Sequence, residues 1–335
     1  MNILSIGSDR NLFDKNSAVA RRIIGYAEQA ERYTVIVFTL RSRDGEKQSI
    51  NLSARVQVFP TNSRSKLRYI PDAVRIGMRI IKEGDTWTVT CQDPFEAGFA
   101  GWCIARHTHA RLHLQVHTDF MSPYFKKESL LNRLRVRIAR FLLPRADEIR
   151  VVSERIKRSI EKLTEAPVTV LPIFVAVSAI ADAVPLFGLR KKYPQFEHII
   201  LMANRLTKEK DIPTALAAFK KVLMHFPKAL LLIVGDGPEK KNIESRITNY
   251  DLQNNVVLTG WQNDLVPYYK GADIFLNTSL YEGYGMSLVE AAAAGRPIVT
   301  TDVGVAGELT GVPVVVCPVR DADCIALKLK EVLRR

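Results

Sequence analysis

Short β-branched runs alternate with helix-length segments along the whole chain, and this alternation constrains the fold more than any other feature. The sequence predicts strands at Asn2–Ile6, Tyr33–Thr39, Val56–Phe59, Thr86–Thr90, Arg111–Val116, Glu148–Val152, Val168–Pro172, His198–Ala203, Ala229–Val234, Val256–Thr259, Ile274–Asn277, Pro297–Thr300 and Val312–Val316. Strands that alternate with helices indicate parallel sheets covered by helices. We therefore predict an α/β fold with two Rossmann-like, doubly wound parallel-sheet domains, residues 1–172 and 173–335, with ligands at the carboxyl ends of the strands.

The positive charge is concentrated in the first domain. The 335 residues carry a net charge of +13, but residues 1–172 hold 29 Lys and Arg against 18 Asp and Glu, while residues 173–335 hold 19 against 17. This asymmetry predicts an acidic partner beside the first domain. Nucleic acid is not the expected partner, because the chain has neither the aromatic signature of an RNA module nor zinc-finger spacing.

The cysteine pattern and the N-terminus predict a cytoplasmic protein with reduced thiols. The chain has no CxxC pair and no secretory signal segment, and its four cysteines are Cys91, Cys103, Cys317 and Cys324. Residues 168–189 form the most apolar stretch, but Pro172 and Pro185 interrupt it. The run VTVLPIFVAV therefore favours a buried strand over a membrane span.

The segment EGYGMSLVEAAAAGRPIVTTDVG (residues 282–304) is the densest functional signal. A strand leads into a turn with two glycines and then into a helix that we expect to reach about Ala294. Gly283 and Gly285 allow a ligand to approach the backbone closely, and the amides of Gly285, Met286 and Ser287 can hold phosphate oxygens.

Two carboxylates of this segment lie eight residues apart. Glu282 belongs to the turn, near whatever follows the phosphate, and Glu290 lies two helical turns inward, where it can accept hydrogen bonds from a ribose diol. The alternative is an ordinary helix N-terminus with an acidic residue before it. The two glycines and the preceding strand favour a ligand site.

The segment NRLTKEKD (residues 204–211) directly follows the predicted strand HIILMA. Arg205 and Lys210 lie five residues apart at the carboxyl end of this strand, where they can jointly bind a diphosphate. The alternative is a solvated charged turn, which is equally compatible with these residues alone.

A third signal combines QDPFEAG (residues 92–98) with LQVHTD (residues 114–119). The spacing of His109, His113 and His117 suggests a zinc helix, but the local pattern alternates as a strand. His113 and His117 would then lie ~13 Å apart, at ~3.3 Å per residue, which is too far for one metal ion. We expect no metal site; His117, at the end of the strand, is placed to contact a ligand, and a buried structural histidine is the alternative.

These motifs together resemble the retaining group 1 glycosyltransferases (glycosyltransferase family four), which have the two-domain GT-B fold. Residues 282–304 are similar to the E-x7-E signature of that family. NRLTKEKD is similar to its G-R-L-x-x-x-K-G segment, although Asn204 and Asp211 replace the two glycines. IVGDGPE, QDPFEAG and QVHTD add to the resemblance, which covers about residues 86–315.

The resemblance implies sugar transfer from a nucleotide-sugar donor (UDP- or GDP-linked) to an acceptor hydroxyl, with retention of configuration, no cofactor and no essential metal. The first domain would then be the acceptor side and the second the donor-binding side. The implied roles are catalysis by His117 and Glu282, diphosphate binding by Arg205, Lys210, Gly285, Met286 and Ser287, sugar binding by Glu282, Gly283 and Tyr284, and ribose binding by Glu290.

The chain departs from the family pattern in two places. Many members carry a glycine-rich loop after the first strand, whereas this loop is Ile6-Gly7-Ser8-Asp9-Arg10, so Gly7 and Ser8 are its only candidate contacts. The chain also ends at LKEVLRR, short of the helices with which the family usually finishes, which leaves open a truncation or an uncovered first domain.

Residues 126–158 hold eleven Lys and Arg and four Asp and Glu. Arg133, Arg137 and Arg140 follow helical spacing beside a stripe of Leu134, Ile138 and Phe141. Such a basic amphipathic helix can lie on anionic lipid, and the alternative is that the stripe packs on the sheet. A membrane surface would fit a lipid-linked acceptor and a peripheral position at the inner face of the membrane.

The leading hypothesis is a glycosyltransferase of glycolipid or surface polysaccharide synthesis. The alternatives are a non-catalytic, membrane-associated nucleotide-sugar-binding relative and a nucleotide-sugar epimerase. A nicotinamide-dependent oxidoreductase is disfavoured, because no G-x-G-x-x-G opens a helix in the first βα unit. The sequence leaves the sugar, the base and the acceptor open.

Overall fold

A computed structural model describes residues 1–42, 46–82 and 84–334. The chain divides into two compact units, Met1–Leu171 and Pro172–Arg335. Each unit is a helix-covered sheet.

Eight strands form the sheet of the first unit within its described residues, in the order β3-β4-β2-β1-β5-β6-β7-β8. Their bounds are β1 (Asn2–Gly7), β2 (Arg32–Val37), β3 (Ile50–Asn51), β4 (Val56–Pro60), β5 (Trp87–Cys91), β6 (Arg111–Val116), β7 (Glu148–Val151) and β8 (Val168–Val170). All neighbours are parallel except β3 and β4, which are antiparallel. The two-residue edge strand β3 was not predicted, because it is too short to give an alternating pattern.

Four helices of the first unit begin at serine caps, where the side chain accepts a hydrogen bond from a free backbone amide. Ser17, Ser122, Ser129 and Ser153 cap α1, α4, α5 and α6 in this way. The bounds are α1 (Ala18–Tyr26), α2 (Tyr69–Ile80), α3 (Glu96–Thr108), α4 (Pro123–Glu128), α5 (Leu130–Leu142) and α6 (Glu154–Ile160).

Glycines allow close packing of α2 on α3 and of α3 on the sheet. A Cβ atom on Gly77 of α2 would overlap Ile104 of α3, and one on Gly101 of α3 would overlap the sulfur of buried Cys91 in β5. Helix α1 covers the other face over β1, β2 and β4, where Tyr33 and Val35 join the buried cluster under it.

The described residues of the second unit form a six-stranded, all-parallel sheet in the order β11-β10-β9-β12-β13-β14. The bounds are β9 (His198–Ala203), β10 (Ala229–Val234), β11 (Val256–Leu258), β12 (Ile274–Asn277), β13 (Ile298–Thr301) and β14 (Val314–Cys317). The central strand β10 is apolar along its whole length, as expected for a strand buried on both faces. Buried clusters cover both faces of this sheet.

The helices of the second unit are α7 (Val177–Asp182), α8 (Leu189–Lys192), α9 (Ile212–Leu223), α10 (Lys240–Asn249), α11 (Val266–Gly271), α12 (Met286–Ala293) and α13 (Ala322–Leu333). Helix α12 ends one residue before the position that the sequence predicts.

The expectation of reduced thiols was wrong for two cysteines. Cys317, the last residue of β14, forms a disulfide with Cys324 in the first turn of α13, across a Cα–Cα distance of 5.9 Å. The turn between them is closed by Asp321, which caps α13 by accepting a hydrogen bond from the amide of Cys324. The other two cysteines, Cys91 and Cys103, are free, and burial raises the pKa of both thiols.

The apolar stretch at residues 168–189 is a strand only at its start. After Val170 the chain leaves the sheet, and the side chains of Leu171, Phe174, Val184 and Leu186 are exposed. The prediction of a buried strand through this run was therefore wrong. The strand ends two residues before Pro172, which has no amide hydrogen to donate to a neighbouring strand. Across the described ranges, none of the helices has both the length and the apolar character needed to cross a bilayer.

Candidate active site

The turn between β12 and α12 contains the E-x7-E segment. Gly285, the residue directly before α12, has φ +90°. As a glycine it has no side chain that could accept a hydrogen bond from the first amides of the helix. Gly304, with φ +51°, packs against this turn so closely that a Cβ atom there would overlap the carbonyl oxygen of Tyr284. That oxygen also accepts a hydrogen bond from the amide of Val305 (2.9 Å). The turn is therefore held through its backbone.

The beginning of α12 presents unused hydrogen-bond donors. The amides of Leu288 and Val289 donate to the carbonyl of Gly285. Within the part of the chain that the structure describes, the amides of Met286 and Ser287 donate to no group. Free amides at the positive end of a helix dipole favour a bound anion, as the sequence predicts for these residues.

Lys210 and Glu282, which sequence reasoning assigned to different parts of a ligand, form an ion pair with each other. Both side chains are only 13% exposed. Ser279 also donates to the same Glu282 carboxylate (2.8 Å). A shielded pair of this kind is costly to break unless each charge receives a new partner.

Arg205 differs from Lys210 because its guanidinium is exposed. The guanidinium makes no hydrogen bond or ion pair with the described residues. Two glycines fix the backbone around it: a Cβ atom on Gly235 would overlap the carbonyl of Asn204, and one on Gly237 would overlap that of Leu206. These contacts show why the run IVGDGPE carries glycine at both positions, a reason that the sequence did not reveal.

Glu290 lies on α12 and is half-buried. One of its oxygens accepts a hydrogen bond from the hydroxyl of Tyr269 on α11 (2.7 Å). Burial and the neighbouring carboxylate raise the pKa of Tyr269 well above its usual value, so the phenol keeps its proton. Sequence reasoning missed Tyr269, because an aromatic residue on a helix is the pattern of an ordinary core position.

His117 directly follows β6, as predicted, and is held by a chain of polar side chains. Its Nε2 donates to Oε1 of Gln115 (3.0 Å), the Nε2 of Gln115 donates to the hydroxyl of Thr90 (2.9 Å), and that hydroxyl is hydrogen-bonded to Nδ1 of His113 (2.9 Å). Gln115 was part of a quoted motif, but its role was not predicted.

The charge state of His117 follows from its surroundings. Desolvation of the ring, together with the positive charges of Arg150 and Arg22, lowers the pKa of His117 to about 4. The imidazole is therefore neutral near pH 7, with its proton on Nε2 and a lone pair on Nδ1. It can accept a hydrogen bond from a substrate hydroxyl, but it carries no charge.

The QDPFEAG segment has a structural role at the start of α3. Asp93 accepts hydrogen bonds from the amides of Phe95 (2.8 Å) and Ala97 (3.2 Å). Burial raises the pKa of Asp93 to about 6. Glu96 forms an ion pair with Arg135 of α5 (2.9 Å).

At the end of β1, Gly7 is buried and Ser8 is exposed. A Cβ atom on Gly7 would overlap the amide end of the Gln92 side chain, which would have to move aside. Within the described ranges, no three histidine, cysteine or acidic side chains cluster as metal ligands would.

Two family models match the chain, each over one unit. Glycosyl transferases group 1 matches residues 190–335, and Glycosyltransferase Family 4 matches residues 19–178. The chain belongs to the group 1 glycosyltransferases. Its activity is therefore glycosyl transfer, as the resemblance of its motifs implies.

Individual relatives of this glycosyltransferase are distant. Alpha-monoglucosyldiacylglycerol synthase of Streptococcus pneumoniae is 25% identical over 301 residues, which cover 86% of this chain and 68% of that protein. An uncharacterized glycosyltransferase of Methanocaldococcus jannaschii is 28% identical over 197 residues, 57% of this chain and 47% of the relative. The chain thus spans about half to two thirds of the length of these relatives.

Solved structures share the fold. HepE of Anabaena in complex with UDP has a TM-score of 0.72 at 18% identity, covering 100% of this chain and 90% of that one. The predicted fold class, GT-B with two parallel-sheet α/β domains, is confirmed.

Replacing Gln115 with glutamate tests how His117 is held. A carboxylate 3.0 Å from Nε2 would favour the charged imidazolium, so we expect Gln115→Glu to raise the pKa of His117 by about one unit or more. Long-range ¹H–¹⁵N NMR of the ring measures both pKa and tautomer. The exposed Gln29→Glu adds the same charge to the same unit and should leave His117 unchanged; an equal shift in both variants would contradict the contact.

Proposed function

We propose that this glycosyltransferase moves a sugar from a nucleotide-sugar donor to an acceptor hydroxyl, with retention of configuration and without a metal, in glycolipid or surface polysaccharide synthesis. The observation that carries the proposal is a set of anion-binding groups in the second unit that have no partner among the described residues: the amides of Met286 and Ser287 and the guanidinium of Arg205.

The donor diphosphate is the ligand that these groups fit. Arg205 would bind it through its two-pronged guanidinium and Lys210 as a point charge, while the amides of Gly285, Met286 and Ser287 supply the positive end of α12. Fixed cations and dipoles would then stabilise the negative charge that develops on the leaving group as the glycosidic bond breaks. No metal is needed for this role.

In this proposal Lys210 and Glu282, which form an ion pair with each other, each bind a different part of the donor. When the diphosphate binds beside Lys210, it offers the ammonium a second anion, and Glu282 gains capacity to accept hydrogen bonds from sugar hydroxyls. Gly283 and Tyr284 would contact the sugar through the backbone of the same turn. In this proposal a donor partly replaces an existing ion pair, so neither charge is left unpaired.

Glu290 is proposed to bind the ribose. Tyr269 occupies one of its oxygens, and the other remains to accept hydrogen bonds from the ribose hydroxyls. The first unit would contribute His117, whose neutral imidazole contacts the donor sugar near the reacting carbon, and Gly7 and Ser8 at the end of β1.

The proposed acceptor is lipid-linked, and α5 is the proposed membrane contact. Leu130, Leu131 and Leu134 are 77%, 50% and 51% exposed, whereas the face of α5 that packs on the unit is formed by Asn132, Val136, Ala139 and Leu142. The alternative, that the stripe of Leu134, Ile138 and Phe141 packs on the sheet, does not fit the exposure of Leu134 and Phe141.

Exposed arginines flank these leucines, at 133, 137 and 140, and lysines 126 and 127 precede them on α4. Exposed leucines beside arginines suit the headgroup boundary of an anionic membrane. The name of the pneumococcal relative, a synthase of a glucosyl diacylglycerol, supports an acceptor in a membrane. We propose that the protein lies at the cytoplasmic face as a peripheral protein.

The activity test is transfer itself. Calorimetry with UDP, GDP and ADP would first identify the base. We then expect transfer from the matching nucleotide sugar to a lipid or polyol acceptor in the presence of EDTA, and ¹H NMR of the new linkage should show the anomeric configuration of the donor. Donor binding without turnover on any acceptor would favour the non-catalytic alternative, and an inverted product would contradict the retaining mechanism.

The diphosphate site is tested by Arg205→Gln and Lys210→Gln. Charge-assisted hydrogen bonds to phosphate contribute about 1.5–3 kcal/mol, so each variant should lose about 10- to 100-fold in kcat/KM for the donor. Lys208→Gln is the matched control, because Lys208 is exposed in the same loop and has no proposed role. Equal activity of all three variants would remove these cations from the site.

The membrane contact is tested by vesicle sedimentation. Each basic residue near an anionic surface contributes about 1 kcal/mol, so the combined change Arg133→Gln, Arg137→Gln and Arg140→Gln should weaken binding to phosphatidylglycerol vesicles by about 100-fold. The control is a second triple variant that removes the same charge from exposed positions of the second unit: Lys191→Gln, Lys220→Gln and Lys241→Gln. If the two triple variants bind alike, the attraction comes from net charge and α5 is not the contact.

A further inference from the structure

One half of the first unit's sheet carries polar side chains on a face where parallel sheets are normally apolar. On β1, β2 and β4 this face is buried under α1. On β5, β6 and β7 the in-register pairs Thr90–His113 and Gln115–Arg150 lie on the same face. Thr90 is buried, while the other three side chains are half-buried and remain partly open to solvent.

Most of these polar groups satisfy one another. The hydrogen bonds that run from His113 through Thr90 and Gln115 to His117 are all 2.9–3.0 Å long. They fix the side chains across two strands. The face is therefore a built surface whose geometry is set before any ligand arrives.

Arg150 is outside this network. Within the described ranges its side chain makes no hydrogen bond or ion pair, although Arg150 stands beside Gln115 in the sheet. Its Nε is shielded from solvent and has no partner, whereas its two terminal nitrogens are not shielded. The buried Nε2 of His113 also lacks a partner. A partly desolvated cation without a counter-charge is costly, which points to an anion that is not part of the described chain.

The surrounding charges are mainly positive. Besides the desolvation of each ring, Arg150 and Arg22 lower the pKa of His117, and Arg150 and Arg111 lower that of His113. Glu148, on the same strand as Arg150, opposes this effect at His113. The charged groups that act on these two histidines thus comprise three arginines and one glutamate, a balance that suits a phosphate better than a singly charged carboxylate.

We infer that the terminal nitrogens of Arg150, beside His117 and within the field of Arg22, bind a phosphate group of the acceptor. The guanidinium can hold two phosphate oxygens at once. The phosphate site is inferred from the geometry of the first unit alone. Only its assignment to the acceptor rests on the proposed function.

The binding test is an NMR titration with sn-glycerol 3-phosphate, followed at the ring nitrogens of His113 and His117. Saturating UDP keeps the proposed donor site in the second unit occupied. A bound phosphate favours the charged imidazolium, so we expect the pKa of His117 to rise and its resonances to shift saturably. Arg150→Gln should abolish the response, and Arg106→Gln, which removes an exposed arginine from the last turn of α3 in the same unit, should keep it.

A second arm identifies the source of the phosphate. Phosphatidylglycerol vesicles replace glycerol phosphate, with phosphatidylcholine vesicles as the comparison. A response to both glycerol phosphate and phosphatidylglycerol supports a site for any accessible phosphate ester, and a response to the vesicles alone supports a lipid headgroup. No saturable shift with either probe, or the same shift in wild type and Arg150→Gln, overturns the inference.

Kinetics separate this inference from the proposed function. With an active acceptor that carries a phosphate, Arg150→Gln should raise the acceptor KM about tenfold or more and leave the donor KM unchanged. Arg150→Lys, which keeps the charge but loses the two-pronged geometry, should recover part of the affinity and shows that folding is intact. If wild type transfers no sugar but the titration succeeds, only the proposed function fails; if transfer is normal and Arg150→Gln changes no acceptor constant, only this inference fails.

Discussion

The ion pair between Lys210 and Glu282 is the interaction on which the candidate site depends. It joins the loop after β9 to the turn after β12, and two further contacts make the same connection: the hydroxyl of Thr278 donates to the carbonyl of Lys210 (2.9 Å), and the amide of Leu280 donates to the carbonyl of Glu209 (2.7 Å). Two adjacent parallel strands thus end in segments that hold each other. The positions of the basic residues and of the start of α12 follow from this connection.

The strand pattern was predictable because it depends on local chemistry. β-Branched and apolar runs such as His198–Ala203 and Ile274–Asn277 coincide with β9 and β12 to the residue. The start of α12 was equally readable, since glycine at 285 can adopt the positive φ that the turn requires. These features are encoded within a few neighbouring residues.

Contacts between distant segments were not predictable in this way. Nothing near Glu290 indicates that Tyr269 hydrogen-bonds to it, and nothing near Lys210 indicates that its partner is 72 residues away. The disulfide between Cys317 and Cys324 was missed because the absence of a CxxC pair was taken to mean reduced thiols. Lys210 and Glu282 meet because β9 and β12, far apart in sequence, are neighbours in the sheet, whereas Cys317 and Cys324 are only seven residues apart and meet across the turn between β14 and α13.

If Glu290 binds the ribose as proposed, Tyr269 affects which nucleotides the site accepts. Because its phenol stays protonated and engages one oxygen of Glu290, the carboxylate has a single oxygen left for a nucleotide. A 2′-deoxy nucleotide would leave that half-buried oxygen with one donor fewer, and an unsatisfied carboxylate oxygen costs more than a missing contact on an open surface. The Tyr269–Glu290 pair therefore gives the proposed site a means of discriminating ribonucleotide donors from their deoxy counterparts.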